Sequence, residues 1–491
     1  MDSSPPITGF SPSQPRTLGD LSTDAFARCT SFLNVRDVCS LAMSSKSLRL
    51  HAYSDAVWFR LFGDTWPNHC ISPGARGARV EYIARQTALR QFKYSDPMVA
   101  RFFTLPVPAS QILFAKDYVY MSQGQHAVRF DFHCASQFTE SYEVLRGHNA
   151  RITCMRLFPI SETSFFRGEV QEEDSILATS SSDHTIRLWW KGQPQRCFKG
   201  HTGPVNVLVD SLLGVSGGKL LASGGEDCTV RLWSVGSKRG HRHMVMTYHG
   251  HEKSVSFLSM ARHKTSLLVS MSRDSRVRVW DTGASSSTGA SSCVGMTSVP
   301  GSPVSMKCYD SLCYVAAGTT VTAVDLRTMR SVATVAIHSP KIYSFEMLPS
   351  KWLLCTGGEE KAILWDIRKN QTKPYPVAEL QGHSGPVKLL HMDSYKVVTG
   401  GPNDNQINVW ETDSGHLANV LQAYDPPATF SSSEKSLGVS ALAVDGCRLV
   451  ISDADQGFIA IRDFSQCSIP ILASPSFVGS KFWQPQNYSD D

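Results

Sequence analysis

The sequence predicts a mainly β protein: a ring of short four-stranded sheets behind a small all-α domain. Eight sheets are expected, with seven left open. Three observations predict this. A signature of small residues, an acid and a tryptophan returns at intervals of about 45 residues, the length of four short strands. Within each copy, apolar and polar residues alternate, as in Val230-Arg231-Leu232, with the period of a strand. The first hundred residues lack this signature and show helical spacing instead.

The copies read LATSSSDHTIRLWW, LASGGEDCTVRLWS, LVSMSRDSRVRVWD and VVTGGPNDNQINVWE, with a fifth, LCTGGEEKAILWD. Asp183, Asp227, Asp274 and Asp404 precede Trp189, Trp233, Trp280 and Trp410 at one fixed distance; in the fifth copy Glu359 or Glu360 precedes Trp365. A Gly-His pair comes before four copies, at His148, His201, His251 and His383, and His338 stands in a comparable place without the glycine. Three degenerate copies place Asp131, Val324 and Arg462 at the tryptophan position. The longer outer steps are expected to hold insertions at 160–175 and 425–436.

A sheet of four short strands cannot bury both faces alone. Copies must therefore stack, and closure into a propeller also protects their edges. A tryptophan between stacked sheets fills a large volume but needs a partner for its indole N–H. Thr179, Ser223, Ser270 and Thr356 lie four residues before the acid, and Thr399 lies five before Asp404. A chain Trp–Ser/Thr–His–Asp would satisfy all these polar atoms. Because the set recurs from copy to copy, it is read as structural and not as a hydrolase triad.

This Gly-His to Trp-Asp pattern resembles the WD40 repeat, from about Leu105 to Phe464. The resemblance implies a WD40 β-propeller over 102–474.

The chain begins with a Pro- and Ser-rich segment at 1–16 that reads as a disordered tail, and 475–491 is read as a C-terminal tail. From 17 to 66 apolar residues take helical spacing: Leu21, Ala25, Cys29 and Phe32–Leu33 on one face, then Val38, Leu41 and Ala42, then Leu48, then Ala56, Trp58–Phe59 and Leu61–Phe62. Ser22 is placed to cap the first helix, and Asp37 lies near the start of the second. The segment resembles an F-box at Leu21, Phe32, Leu33, Arg36, Asp37, Val38, Leu41 and Trp58. It departs from that pattern at Ser22, Cys29, Thr30 and Val57. Residues 67–101 read as a helical linker with Val80, Ile83, Ala84 and Thr87–Ala88 facing inward. The segments 282–302 and 426–436 read as low-complexity surface loops.

Composition narrows the function. A net charge of +5 from 48 basic and 43 acidic side chains does not call for a nucleic-acid partner. No apolar run is long enough for a membrane span. Thirteen cysteines, none in a Cys-x-x-Cys pair, fit neither a zinc site nor a disulfide framework and suit a reducing compartment, cytoplasm or nucleus. No motif asks for a cofactor or for catalysis.

An F-box before a WD40 array resembles the substrate receptors of Skp–cullin–F-box ubiquitin ligases. That resemblance implies a non-catalytic subunit in which Leu21, Phe32, Leu33, Val38, Leu41 and Trp58 dock on a Skp adaptor, with cullin and RING subunits as indirect partners. The propeller would hold a protein substrate, phosphorylated or not. Arg151, Lys253 and Arg273 in the repeat loops are the basic residues suited to such a ligand. The alternative is a WD40 scaffold in a cytosolic or nuclear complex with no ligase role.

Overall fold

A computed structural model of the 491-residue chain describes residue 21 and residues 23–65, 77–94, 97–115, 118–131, 142–160, 175–213, 219–236, 243–283, 293–369, 374–423, 438–454 and 457–464. Both tails, Ser22, the loop 426–436, the greater part of the insertion expected at 160–175 and residues 284–292 of the loop expected at 282–302 lie outside the described residues. The rest of that expected loop is not all loop, because Cys293–Ser298 is a strand that pairs with Arg276–Asp281. The chain divides into two compact units, residues 1–91 and 92–491.

The first unit is helical: α1 (Thr23–Cys29), a single 3-10 turn (Thr30–Phe32), α2 (Val35–Ser44), α3 (Lys46–Ala52), α4 (Asp55–Thr65) and α5 (Ala78–Tyr94), the last up to residue 91. Asn34 opens α2 with a reciprocal cap. Its Oδ1 accepts from the Asp37 N–H at 3.0 Å, and Asp37 accepts from the Asn34 N–H at 3.3 Å. Phe26, Val38, Ala42, Val57, Trp58, Leu61 and Phe62 are buried. The Trp58 indole N–H donates to the Ala52 carbonyl at 2.9 Å, which lets a polar atom enter the core.

Two expected faces differ from those observed. Along α1, Phe26 and Thr30 are buried, whereas Cys29 is exposed and Phe32 is 95 % exposed. The helix tightens into its 3-10 turn at Thr30, which rotates the following side chains out of phase with an α-helical stripe. On α5 the inward residues are Ala78 and Tyr82, and Val80 and Ile83 are exposed. Tyr82 meets Trp58 edge-on at 5.2 Å, and the Arg79 guanidinium lies 3.8 Å above the Tyr53 ring. These aromatic contacts fix the helix's rotation in place of its aliphatic residues.

The second unit is a closed ring of eight four-stranded antiparallel sheets, not seven. Blades one to seven span residues 109–145, 152–199, 205–248, 255–298, 303–337, 344–381 and 389–422. Blade eight takes three strands from 439–463 and its fourth from Met98–Phe103, which pairs antiparallel with Phe458–Asp463. The start of the ring's chain thus completes its last sheet, and residues 98–101 belong to the ring and not to a linker. The first strand of each blade lies against the first strand of the next, and that of blade eight lies against that of blade one. No blade face is left to solvent, and the apolar cores sit in the seams between neighbours.

The third strand of each blade carries the tryptophan position. Trp189, Trp233, Trp280, Trp365 and Trp410 are all buried there. In blade one the residue at this position is Phe130, not Asp131. Phe130 pairs with Val119 and enters the core, while strand alternation turns Asp131 outward. Val324 and Arg462 hold the position in blades five and eight.

Candidate interaction face

In four blades a relay runs from the seam to one end of the sheet. In blade two the Trp189 Nε1–H donates to Thr179 Oγ1 at 2.9 Å, Thr179 meets His148 Nε2 at 2.8 Å, and His148 Nδ1 meets Asp183 Oδ2 at 2.9 Å. Blade three repeats it through Trp233, Ser223, His201 and Asp227 at 2.8, 2.7 and 2.8 Å. Blade four uses Trp280, Ser270, His251 and Asp274 at 2.8, 2.7 and 2.9 Å. Blade seven uses Trp410, Thr399, His383 and Asp404 at 2.8, 2.7 and 2.9 Å. The extra residue before Asp404 does not interrupt it.

The chemistry fixes the direction of these bonds. An indole N–H only donates, so the hydroxyl accepts it and donates onward to Nε2. An ionised carboxylate only accepts, so Nδ1 carries the proton. The imidazole is then neutral. Burial holds His148, His251 and His383 below the usual histidine range, against the opposing pull of the aspartate beside each. Against the upward push of burial, hydrogen bonds from Thr185, the Asn149 N–H and His148 bring Asp183 down to about 2. Each aspartate also accepts the N–H of the residue after its histidine: Asn149, Thr202, Glu252 and Ser384. The relay therefore ties the loop entering a blade to the hairpin within it, and both loops are held at the same end of the sheet.

Blade six has only part of this device. Trp365 donates to Thr356 at 2.9 Å and Thr356 meets His338, but at Nδ1, at 3.0 Å. Neither Glu359 nor Glu360 takes the aspartate's place; both are exposed. His338 Nε2 is buried with no hydrogen-bond partner. The expected acid in this copy is thus absent from the relay, because both glutamates of the shortened hairpin turn to solvent.

The loops held by the relays carry the basic residues singled out from the sequence. Arg151 follows His148, Lys253 follows His251, and Arg273 precedes Asp274; all three are exposed. On the same end of blade four, Arg276 pairs with Glu252. On blade six a cavity of about 520 Å³ opens beside Glu359, Glu360 and Lys361. This end of the ring is therefore mixed in charge: exposed basic residues at blades two and four are separated by the exposed Glu226 of blade three, and Glu359 and Glu360 stand at blade six. Among the described residues there is no cluster of three metal-ligating side chains, and no helix is long and apolar enough to cross a membrane.

The residues expected to dock on an adaptor differ in exposure. Phe32 is exposed, Leu21, Leu33 and Leu41 are half-buried, and Val38 and Trp58 are interior.

The family profile described as WD domain, G-beta repeat matches residues 139–189, 192–234 and 242–281. These fall on blades whose relays are complete. The ring is a WD40 propeller of eight blades. The computationally designed Ika8 protein, a solved structure, shares the fold with a TM-score of 0.53 at 19 % identity, over 73 % of this chain and 96 % of that one. Among curated proteins, the chain is similar to nuclear distribution protein nudF of Aspergillus niger, 27 % identical over 58 % of this chain. It is also similar to nuclear distribution protein PAC1 of Gibberella zeae, 33 % identical over 28 % of the chain, and to PAC1 of Arthroderma otae, 39 % identical over 22 %. The matches span 65 %, 28 % and 24 % of those relatives' own lengths. These relatives overturn the ligase-receptor expectation, and the Skp, cullin and RING partners fall with it. A WD40 propeller takes protein partners, and the scaffold alternative accounts for the chain better.

Proposed function

We propose that this chain is a non-catalytic scaffold of a cytosolic or nuclear protein complex. Its partners dock on the end of the propeller where the relays anchor the loops. The observation that carries this is the pinning of the loop backbone that bears exposed charges. Arg151, Lys253 and Arg273 each stand near a His–Asp pair fixed by three or more hydrogen bonds, so a partner meets charges on loops whose backbone is already held in place. Less loop entropy is lost on binding to such a surface. Lys253 and Arg273, together on blade four, suit an acidic or phosphorylated segment, which a guanidinium fork matches. The relatives' name supports placing that complex in nuclear distribution.

The test is charge reversal on the full chain. Arg151→Glu, Lys253→Glu and Arg273→Glu together should lower recovery of co-purifying partners by at least tenfold and leave the melting temperature unchanged. The same partners in the same amounts would remove this face from the proposal.

A further inference from the structure

In blades four, six and seven, three bulky apolar side chains meet at one place in the seam: Met260, Leu268 and Trp280; Met347, Leu354 and Trp365; Met392, Val397 and Trp410. In blade five the same register positions hold Cys308, Cys313 and Val324. Both thiols are free and buried, and both belong to the apolar seam between blades four and five.

The hairpin geometry sets them face to face. Asp310 and Ser311 form a two-residue turn closed by Tyr309 and Leu312, with Asp310 at a φ of 48°. The closing pair of such a hairpin is the hydrogen-bonded one. Cys308 and Cys313 are therefore the next, non-hydrogen-bonded pair, whose Cα atoms lie about 4.5 Å apart with side chains on one face. That separation lies within the range a disulfide spans.

We infer that Cys308 and Cys313 are a redox-active dithiol that closes to a cross-strand disulfide under peroxide. Cys308 is the attacking sulfur. The hydrogen bond from Cys313 holds its thiol below the usual range against burial, and Ser259 and the Arg262 charge, both from blade four, act in the same sense. The bond to Cys308, together with burial, pushes the Cys313 thiol up. Cys308 also retains 9 % exposure where Cys313 has none. The Cys308 thiolate attacks one oxygen of hydrogen peroxide, the O–O bond breaks, and hydroxide leaves and takes up a proton as water. The Cys313 thiol then attacks the sulfenic sulfur, the S–S bond forms, and a second water departs with the thiol proton. Two thiols lose two electrons and two protons, and peroxide becomes two waters.

Trypsin cutting after Lys307 and Arg327 leaves both cysteines on one peptide, 308–327. Native full-length chain treated with hydrogen peroxide, then unfolded and alkylated, should yield this peptide two hydrogens lighter and unalkylated, at least tenfold above the untreated chain. Dithiothreitol should reverse it. Cys355, buried in blade six with no cysteine opposite, should remain alkylatable. Cys313→Ala, or Cys313→Val where alanine prevents folding, should instead leave Cys308 as a sulfenic acid that dimedone labels. Full alkylation of peptide 308–327 after peroxide, or oxidation of Cys308 to the sulfinic acid in the unmodified chain, overturns the assignment.

Discussion

Blades four and five are neighbours with the same four-strand plan and opposite solutions to the same interior. Blade four fills its seam with Trp280 and satisfies the indole through Ser270, His251 and Asp274. Blade five has valine at the corresponding places: Val324 for the tryptophan, Val315 for the serine and Val299 for the histidine, all buried. No polar atom of the relay survives without its partner. Removing one member of a buried polar network leaves the others unpaired, whereas replacing the whole set by apolar groups can be close to neutral. The pair shows that the fold accepts a blade with the whole relay and a blade with none of it, while blade six keeps Trp365, Thr356 and His338 without the acid and leaves His338 Nε2 unpaired.

The largest effect expected from this contrast is at the tryptophan position. Trp280→Ala should cost about 3–5 kcal/mol, because the cavity cannot collapse between two sheets. Val324→Ala, at the same register position next door, should cost about 2 kcal/mol for the buried carbons lost. Urea denaturation of the two variants measures the gap. Equal losses would mean that blade four's core does not depend on the indole.

The same contrast explains what was legible in the sequence. Blades two, three, four and seven were readable because a relay needs particular residue types at particular distances. Blade five was readable only from its spacing, since Val299, Val315 and Val324 look like any buried strand residues. Blade one was misread by one position: the alignment put Asp131 at the tryptophan position, although Phe130-Asp131 already has the aromatic-then-acid order of Trp280-Asp281, and strand pairing turns Phe130 inward. In the helical unit, helices of seven residues such as α1 and α3 carry too few apolar positions to define a face. Its 3-10 turn and the aromatic contacts of Tyr82 decided what was buried. The role of Glu359 and Glu360 was illegible because hairpin length, not residue type, decides whether an acid reaches the histidine.

A smaller difference separates the acids of blades four and six. Asp274 accepts from His251 Nδ1 at 2.9 Å, the Glu252 N–H at 3.1 Å and the Arg276 N–H at 2.9 Å, with its side chain 3 % exposed. Asp274→Ala leaves all three donors unpaired and should cost about 2–4 kcal/mol. Glu360→Ala removes an exposed group outside any relay and should change stability by less than about 0.5 kcal/mol. Denaturation midpoints of the two variants rank them. A loss at Glu360 comparable to that at Asp274 would bring the glutamate into blade six's relay after all.

Blade six, between the complete and the absent relay, should be visible through pH. Burial, with the Lys361 charge acting in the same direction, lowers His338 to about 4 from an ordinary value near 6.5. The Glu379 charge opposes this, but no aspartate bonds the imidazole as in blades two, three, four and seven. Between those two values the unfolded chain binds a proton that the folded chain refuses. His338 therefore weakens the fold progressively as pH drops from about 6.5 to about 4, and contributes nothing above that window. Asp183 acts lower and for the opposite reason. Its carboxyl is held at about 2, so its stabilisation is complete above its ordinary value of 3.8 and is lost as pH falls from there toward 2. His338→Asn keeps a hydrogen-bonding atom near Nδ1 for Thr356 but cannot titrate. Its stability should fall less steeply than that of the unmodified chain between pH 6.5 and pH 4, and the two slopes should agree below pH 4. Parallel slopes across the upper window would mean that His338 finds an acceptor for its second nitrogen, and that blade six is a complete relay of another kind.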